Sequence, residues 1–233
     1  MPGPLEFVTF KWGTAYTARH VNVLAAMLER HYHRPHRLTC ITDNGQEIAA
    51  GIRVVPMWSD PRLTGHCMQR IRMFDPETAR RIGPRFCWLD LDLVIVDDVT
   101  AIFDRAEDFI ACGVEKPWQP YNGSMVMMDA GAHPEVYSSF SAATFDRLRK
   151  EHGYGGGDQG WIACALGPGA ATWTEADGVF SYRDHIEGPP YGGGPGTGAL
   201  PAGARIVIFN SRRLDPSDGG LQRLSPWIAE AWR

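Results

Sequence analysis

The chain has 233 residues, 44% of them hydrophobic, enough for one sizeable α/β domain. A formal charge of −4 excludes a general nucleic-acid binder, whose footprint is a basic surface. No apolar run approaches the ~20 residues of a membrane span, and the Met1–Glu6 start lacks the charged and apolar regions of a signal peptide. The five cysteines, Cys40, Cys67, Cys87, Cys112 and Cys164, are scattered and without Cys-x-x-Cys spacing. They predict buried free thiols in a reducing compartment, hence a cytoplasmic protein. The only lysines are Lys11, Lys116 and Lys150; arginine carries the remaining positive charge.

Glu6–Phe10 reads as a first strand. A loop over Lys11–Thr14 leads to a helix with Val21, Leu24, Ala25, Leu28 and Tyr32 at helical spacing. Arg37–Thr42 reads as a second strand, closed by Asp43-Asn44-Gly45, and Arg53–Met57 as a third. A helix over Met68–Phe74 precedes a buried strand at Phe86–Leu89, with Val94, Ile95 and Val96 following directly. This β-α-β order implies a largely parallel sheet with helices on its faces. Ligands bind such sheets at the carboxyl ends of the strands, where Lys11, Asp43, Asp90 and Asp92 fall.

Further on, Phe109–Val114 and Ser124–Met128 read as strands. Pro134–His152 reads as one helix with Gly153 as terminator, and a shorter helix starts at Asp158, which fits an N-cap. Residues 187–203, rich in Gly and Pro, are expected to form a lid or to be disordered. Ala204–Phe209 reads as a late strand. Trp227–Trp232 reads as a short amphipathic helix that packs on the domain or touches a membrane or partner. Oligomeric state is not legible.

The run Trp88-Leu-Asp-Leu-Asp-Leu places Asp90 and Asp92 two residues apart at the end of a buried strand, where alternate side chains share a face. Two neighbouring carboxylates repel, and desolvation adds to the repulsion. A divalent cation would relieve both, and Mg²⁺ or Mn²⁺ held by carboxylates in turn holds diphosphates. A solvated turn is the plainer reading of so short a motif.

Five blocks in order resemble glycosyltransferase family 8, the glycogenin-like group of GT-A glycosyltransferases. Val8-Thr9 with Ala15-Tyr16 resembles the opening nucleotide loop, in which Thr9 and Tyr16 would contact uracil. Arg70–Phe74 resembles the basic helix before the metal motif, with Arg70 in place of the usual donor-side lysine. Trp88–Val96, continuing to Ile102-Phe103, is similar to the metal motif. Tyr121–Ser124 resembles the donor-sugar segment, with Asn122 as a hydroxyl contact. Gly156–Gly160 closely resembles the Gly-Asp-Gln block, so Asp158 and Gln159 would contact the donor sugar.

The end of the chain departs from the family. Ile208-Phe-Asn-Ser-Arg-Arg-Leu-Asp-Pro216 has no histidine metal ligand, and Leu214 takes the place of the diphosphate-gripping lysine. Asn210 is the candidate third metal ligand, with water or His185 as alternatives, and Arg212 or Arg213 replaces the lysine charge.

The resemblance implies an α/β, GT-A (Rossmann-like) single domain over residues 1–233. It would have a mostly parallel central sheet flanked by helices and a small mixed second sheet. Residues 1–104 would form the nucleotide-binding half and 105–233 the acceptor and donor-sugar half. The implied activity is Mn²⁺- or Mg²⁺-dependent transfer of a sugar from a nucleotide-diphosphate donor, UDP-linked, to a saccharide or other hydroxyl acceptor, with retention. Two competitors are a haloacid-dehalogenase-type phosphatase, with Asp90 as nucleophile and Asp92 as acid/base, and a non-catalytic nucleotide-sugar binding module.

Overall fold

A computed structural model describes residues 3–65, 67–116, 118–211 and 213–233. Strand β1 (Leu5–Lys11) is followed by helix α1 (Ala18–His31). Thr17 caps α1 in a reciprocal arrangement in which His20 Nδ1 accepts the Thr17 N–H at 3.2 Å. Val21, Leu24 and Leu28 turn to the core, and Tyr32 closes the helix by donating its N–H to Leu28 O. Strands β2 (His36–Thr42) and β3 (Arg53–Pro56) come next.

The expected helix at 68–74 is a 3₁₀ helix, Cys67–Phe74. Met68, Ile71 and Phe74 are buried at a spacing of three, which matches three residues per turn. Helix α2 (Pro76–Ile82) was not anticipated, although Asp75 followed by Pro76 is a start signal; the Asp75 carboxylate accepts the Thr78 N–H at 3.2 Å.

Strand β4 (Arg85–Leu89) and strand β5 (Leu93–Ile95) are separate strands in different sheets. Strands β6 (Phe109–Lys116) and β7 (Gln119–Asp129) form a hairpin. The single helix expected over 134–152 is two, α3 (Glu135–Ser138) and α4 (Ala142–His152). Ser141 caps the second by accepting the Thr144 N–H at 3.1 Å, and the break lets Phe140 pack edge-on against Trp161. Helix α5 (Gly157–Leu166), β8 (Ala171–Trp173) and β9 (Val179–Ser181) follow. A wide i→i+5 turn spans Tyr182–Ile186. The chain ends with β10 (Ile206–Ile208), α6 (Gly219–Leu224) and α7 (Pro226–Ala231).

The central sheet has seven strands in the order β3-β2-β1-β4-β7-β6-β8. The pairs β3–β2, β2–β1, β1–β4 and β6–β8 are parallel, while both pairs made by β7 are antiparallel. A second sheet, β5-β10-β9, is mixed. Side chains alternate between two cores: Cys87 and Leu89 join the one that includes α1 and the small sheet. Phe86 and Trp88 join the one against the 3₁₀ helix, α3 and α5.

Residues 187–203 are a coil tied to the wide turn, with Gly193 N donating to Arg183 O at 3.0 Å and Gly196 N to Ile186 O at 3.0 Å. Trp227 Nε1 holds Gly198 O at 2.9 Å. At the C-terminus Ile228 and Trp232 are buried, so the final helix packs on the domain. Among the described residues, no helix is long and apolar enough to cross a membrane. All five cysteines are free, as expected; Cys40, Cys87 and Cys112 are buried, whereas Cys67 and Cys164 are only half-buried.

Candidate active site

Asp90 and Asp92 lie where the chain passes from one sheet to the other. Asp90 N donates to Ser124 O of β7 at 2.8 Å, and Asp92 O accepts the Phe209 N–H, just past β10, at 2.9 Å. Both line a cavity of about 490 Å³. Asp92 is 8% exposed. Burial, then repulsion from Asp90, pushes its carboxyl well above the usual range, against a hydrogen bond from the Tyr16 hydroxyl. Burial and the same carboxylates push the Tyr16 phenol up in turn.

Arg70, the expected donor-side cation, is buried. It is 8% exposed, at the inner face of the 3₁₀ helix. One Nη1 donates to Asp90 Oδ1 and, at 3.2 Å, to Gly123 O; Nε stands 2.7 Å from Asp158 Oδ2. The Nε contact is an ion pair rather than an aligned hydrogen bond, since both atoms lack a hydrogen-bond partner among the described residues. Burial alone would lower the guanidinium; Asp158 and Asp90 outweigh it and raise it. Asp158 itself, 3% exposed, is pushed up by burial despite Arg70.

The expected N-cap role of Asp158 is not what the structure shows. Gly156 is the N-cap, and the Asp158 side chain, in the first turn of α5, is taken by Arg70. Gly157, at φ +81°, makes the turn into that helix. The Gly123 position is tight as well: a Cβ there would lie 3.3 Å from Asp158 Oδ2. Gln159 Oε1 accepts the Gly123 N–H at 3.1 Å, and Asn122 Oδ1 accepts the Ser124 N–H at 2.8 Å. Asn122, Asp158 and Gln159 all line the cavity of the two aspartates, as does Tyr16.

Other candidates stand apart. Thr9 is fully buried and donates to Leu89 O at 2.8 Å, so it ties β1 to the end of β4. Lys11 Nζ donates to Asn44 O at 3.0 Å, and Asp43 Oδ2 accepts the Gly13 N–H at 2.8 Å. These two fasten the β1 and β2 loops at the expected strand ends. Arg212 lies outside the described residues. Arg213 forks onto Glu187 at 2.7 Å through both Nη atoms.

Asn210 lines the cavity, but its Oδ1 accepts the Ser181 hydroxyl at 3.0 Å and its amide hydrogen-bonds Asp184. Asp184 also accepts from Lys116 Nζ at 2.7 Å. The sequence reading missed this Lys116–Asp184–Ser181–Asn210 network; the rarity of lysine was its only local signal. Lys116, Asn122 and Asn210 also line a second cavity of about 980 Å³. His185 lies on that second cavity, 2.7 Å from Glu175 Oε1, and not among the residues lining the aspartate cavity.

Lys116, paired with Asp184, and the exposed Arg183 also line the aspartate cavity. Asp90 and Asp158 share the buried Arg70 guanidinium, and the Asp92 and Asp158 carboxyls are pushed up by burial. Two carboxylates with open positions for water and phosphate oxygens fit Mg²⁺ or Mn²⁺. Among the described residues, no third His, Cys, Asp or Glu joins them. A phosphatase would need Asp90 free as nucleophile, whereas Arg70 engages it, and the motif follows the fourth strand rather than opening the fold.

No family model matches the chain, and no curated protein matches it in sequence. Solved structures are similar to it in fold. The galactosyltransferase LgtC, in complex with donor and acceptor sugar analogs, superimposes with a TM-score of 0.59 at 10% identity, over 98% of this chain and 97% of that one. The apo form of the glycosyltransferase GlyE of Streptococcus pneumoniae gives a TM-score of 0.60 at 13% identity, over 99% of this chain and 61% of that one. The bifunctional glycosyltransferase WbbM, without ligand, gives 0.60 at 10% identity, over 99% of this chain and 50% of that one. This chain therefore spans roughly half to three fifths of the latter two. At such identities the likeness is one of fold, and the fold is the GT-A architecture of glycosyltransferases.

Proposed function

We propose that the chain is a metal-dependent glycosyltransferase, moving a sugar from a UDP-linked donor to a hydroxyl acceptor with retention. The observation that carries this is the meeting of Asp90 and Asp92 with Asn122, Asp158 and Gln159 around one cavity. Asp90 and Asp92 would hold Mn²⁺ or Mg²⁺, with Asn210 beside them. When bound, the cation supplies positive charge to the leaving diphosphate.

The chain's own groups do the rest. Gln159 and Asn122 have their side-chain oxygens occupied by backbone N–H groups, so each offers its amide N–H to sugar hydroxyls. Arg70, with both ends engaged, positions Asp90 and Asp158 rather than gripping the donor. Tyr16 offers a ring for the base and orients Asp92. In the transfer the bond from the anomeric carbon to the diphosphate oxygen breaks and a bond to the acceptor oxygen forms. The acceptor's proton leaves with the diphosphate or to solvent.

A binding module that never turns over is the competing reading, favoured by the lack of a third acidic or histidine ligand among the described residues. Incubation with Mn²⁺, a panel of UDP-sugars and simple glycosides separates the two. The expected result is UDP release, with NMR showing the donor's anomeric configuration in the product. A UDP-sugar that binds and is never consumed defeats the enzyme.

A further inference from the structure

The larger cavity, about 980 Å³, is at the upper end of small-ligand sites and adjoins the aspartate cavity through Lys116, Asn122 and Asn210. Its lining mixes hydrogen-bonding groups such as Thr172 with the apolar faces of Phe180, Pro168 and Ala170. That mixture suits a sugar, which has hydroxyls at its edges and C–H groups on its faces.

Charge narrows the class. The acidic and basic lining side chains among the described residues are Lys116, Asp184, Glu175 and His185. Lys116 Nζ pairs with Asp184 Oδ1 at 2.7 Å. His185 Nδ1 lies 2.9 Å from Ser181 N and 3.1 Å from Ser181 O, and its Nε2 faces Glu175 Oε1 at 2.7 Å. Each basic group of the lining thus already faces a carboxylate, and Glu175 itself is about half exposed.

We infer that this cavity receives the acceptor, that the acceptor is a non-anionic saccharide, neutral or amine-bearing, and that Glu175 enforces the exclusion of acidic sugars. The inference rests on the transferase reading and goes beyond it by assigning the acceptor's chemistry. A carboxylated sugar would enter against Glu175 and meet only basic groups that already face a carboxylate.

The test measures binding of cellobiose, diglucosamine and digalacturonate to the full chain by calorimetry, with UDP and Mn²⁺ titrated in parallel. Cellobiose and diglucosamine are expected to bind, and digalacturonate at least about tenfold more weakly. Glu175→Gln, which keeps an oxygen for His185, should narrow that gap to about threefold or less with UDP affinity unchanged. In the unaltered protein the gap should also shrink between about 0.05 and 0.5 M salt, a readout independent of the variant's folding. Equal binding of digalacturonate, or a gap insensitive to both salt and Glu175→Gln, overturns the exclusion. UDP binding with no saccharide binding overturns the cavity assignment, whereas saccharide binding without UDP leaves it standing and defeats the donor reading.

Discussion

Replacing Arg70 with methionine keeps most of the side-chain volume and removes the one guanidinium that Asp90 and Asp158 share. Asp90 retains about a quarter of its side-chain exposure and can rehydrate; Asp158, with 4% of its side chain exposed, cannot. Leaving one partner of a buried ion pair behind costs roughly 3–5 kcal/mol. For a chain of this size that is about 6–20 °C in Tm. Burial already holds the Asp158 carboxyl above its usual value, and Arg70 is what opposes it. Without Arg70 the folded state binds the Asp158 proton more readily than the unfolded state does. The deficit should therefore be largest at pH 8 and shrink as pH falls toward the unfolded carboxylate value of about 4. Urea unfolding followed by tryptophan fluorescence at pH 8 and pH 5.5 measures this, with Arg70→Met/Asp158→Asn as the compensating pair. A loss below about 1 kcal/mol in the single variant, or no recovery in the double, would refute the idea that Arg70 neutralises Asp158.

Asp92→Asn should raise the urea midpoint at pH 8, because a buried carboxylate repelled by Asp90 is removed; the gain should fade in acid, where the wild-type carboxyl takes up its proton. The same variant should weaken Mn²⁺-dependent UDP binding more than about tenfold in a fluorescence titration, and unchanged affinity would remove Asp92 from the cation site. Asp60 is held below the usual carboxylate range by hydrogen bonds from Arg62, with the Tyr137 hydroxyl at 2.8 Å adding to them. Its stabilisation is complete above the unfolded value of about 4 and is lost as pH falls below it, so Tyr137→Phe should cost about 1 kcal/mol at pH 7 and little in strong acid by urea titration. Trp232, 2% exposed, packs on His20 at 5.3 Å between ring centroids and beneath Arg19 at 5.0 Å. Trp232→Ala should cost about 3–5 kcal/mol in chemical denaturation; a cost under about 1 kcal/mol would place Trp232 outside the cooperative unit.

What local patterning determines was legible. The strands β1, β2 and β4 and helix α1 follow from apolar periodicity, and Asp90 and Asp92 fall at a strand end as expected. The break between α3 and α4 was also written locally, in a serine three residues before Thr144, but the run of helix-compatible residues masked it. What depends on distant partners was not legible. The resemblance puts Arg70 beside the donor, and its role as an ion-pair partner appears only once Asp158, 88 positions later, is seen opposite its Nε. For the same reason Asp158 looks like a cap in the sequence and is an ion-pair partner in the fold. The Lys116–Asp184 pair joins residues 68 positions apart and carries no motif at all.

The placement of Asp90 and Asp92 on the passage between sheets has a consequence for partial opening of the molecule. Asp90 is pinned through its amide to β7, and Asp92 through its carbonyl to the residue after β10. The small sheet has three strands of three residues each, whereas the central sheet has seven strands. Strands that short release first when a protein breathes. Such a fluctuation would carry Asp92 away from Asp90 while leaving the seven-stranded frame intact. A ligand bridging the two carboxylates would act as a clasp across that seam, slowing amide exchange in β5, β9 and β10 while β1 and β4 stay as slow as before.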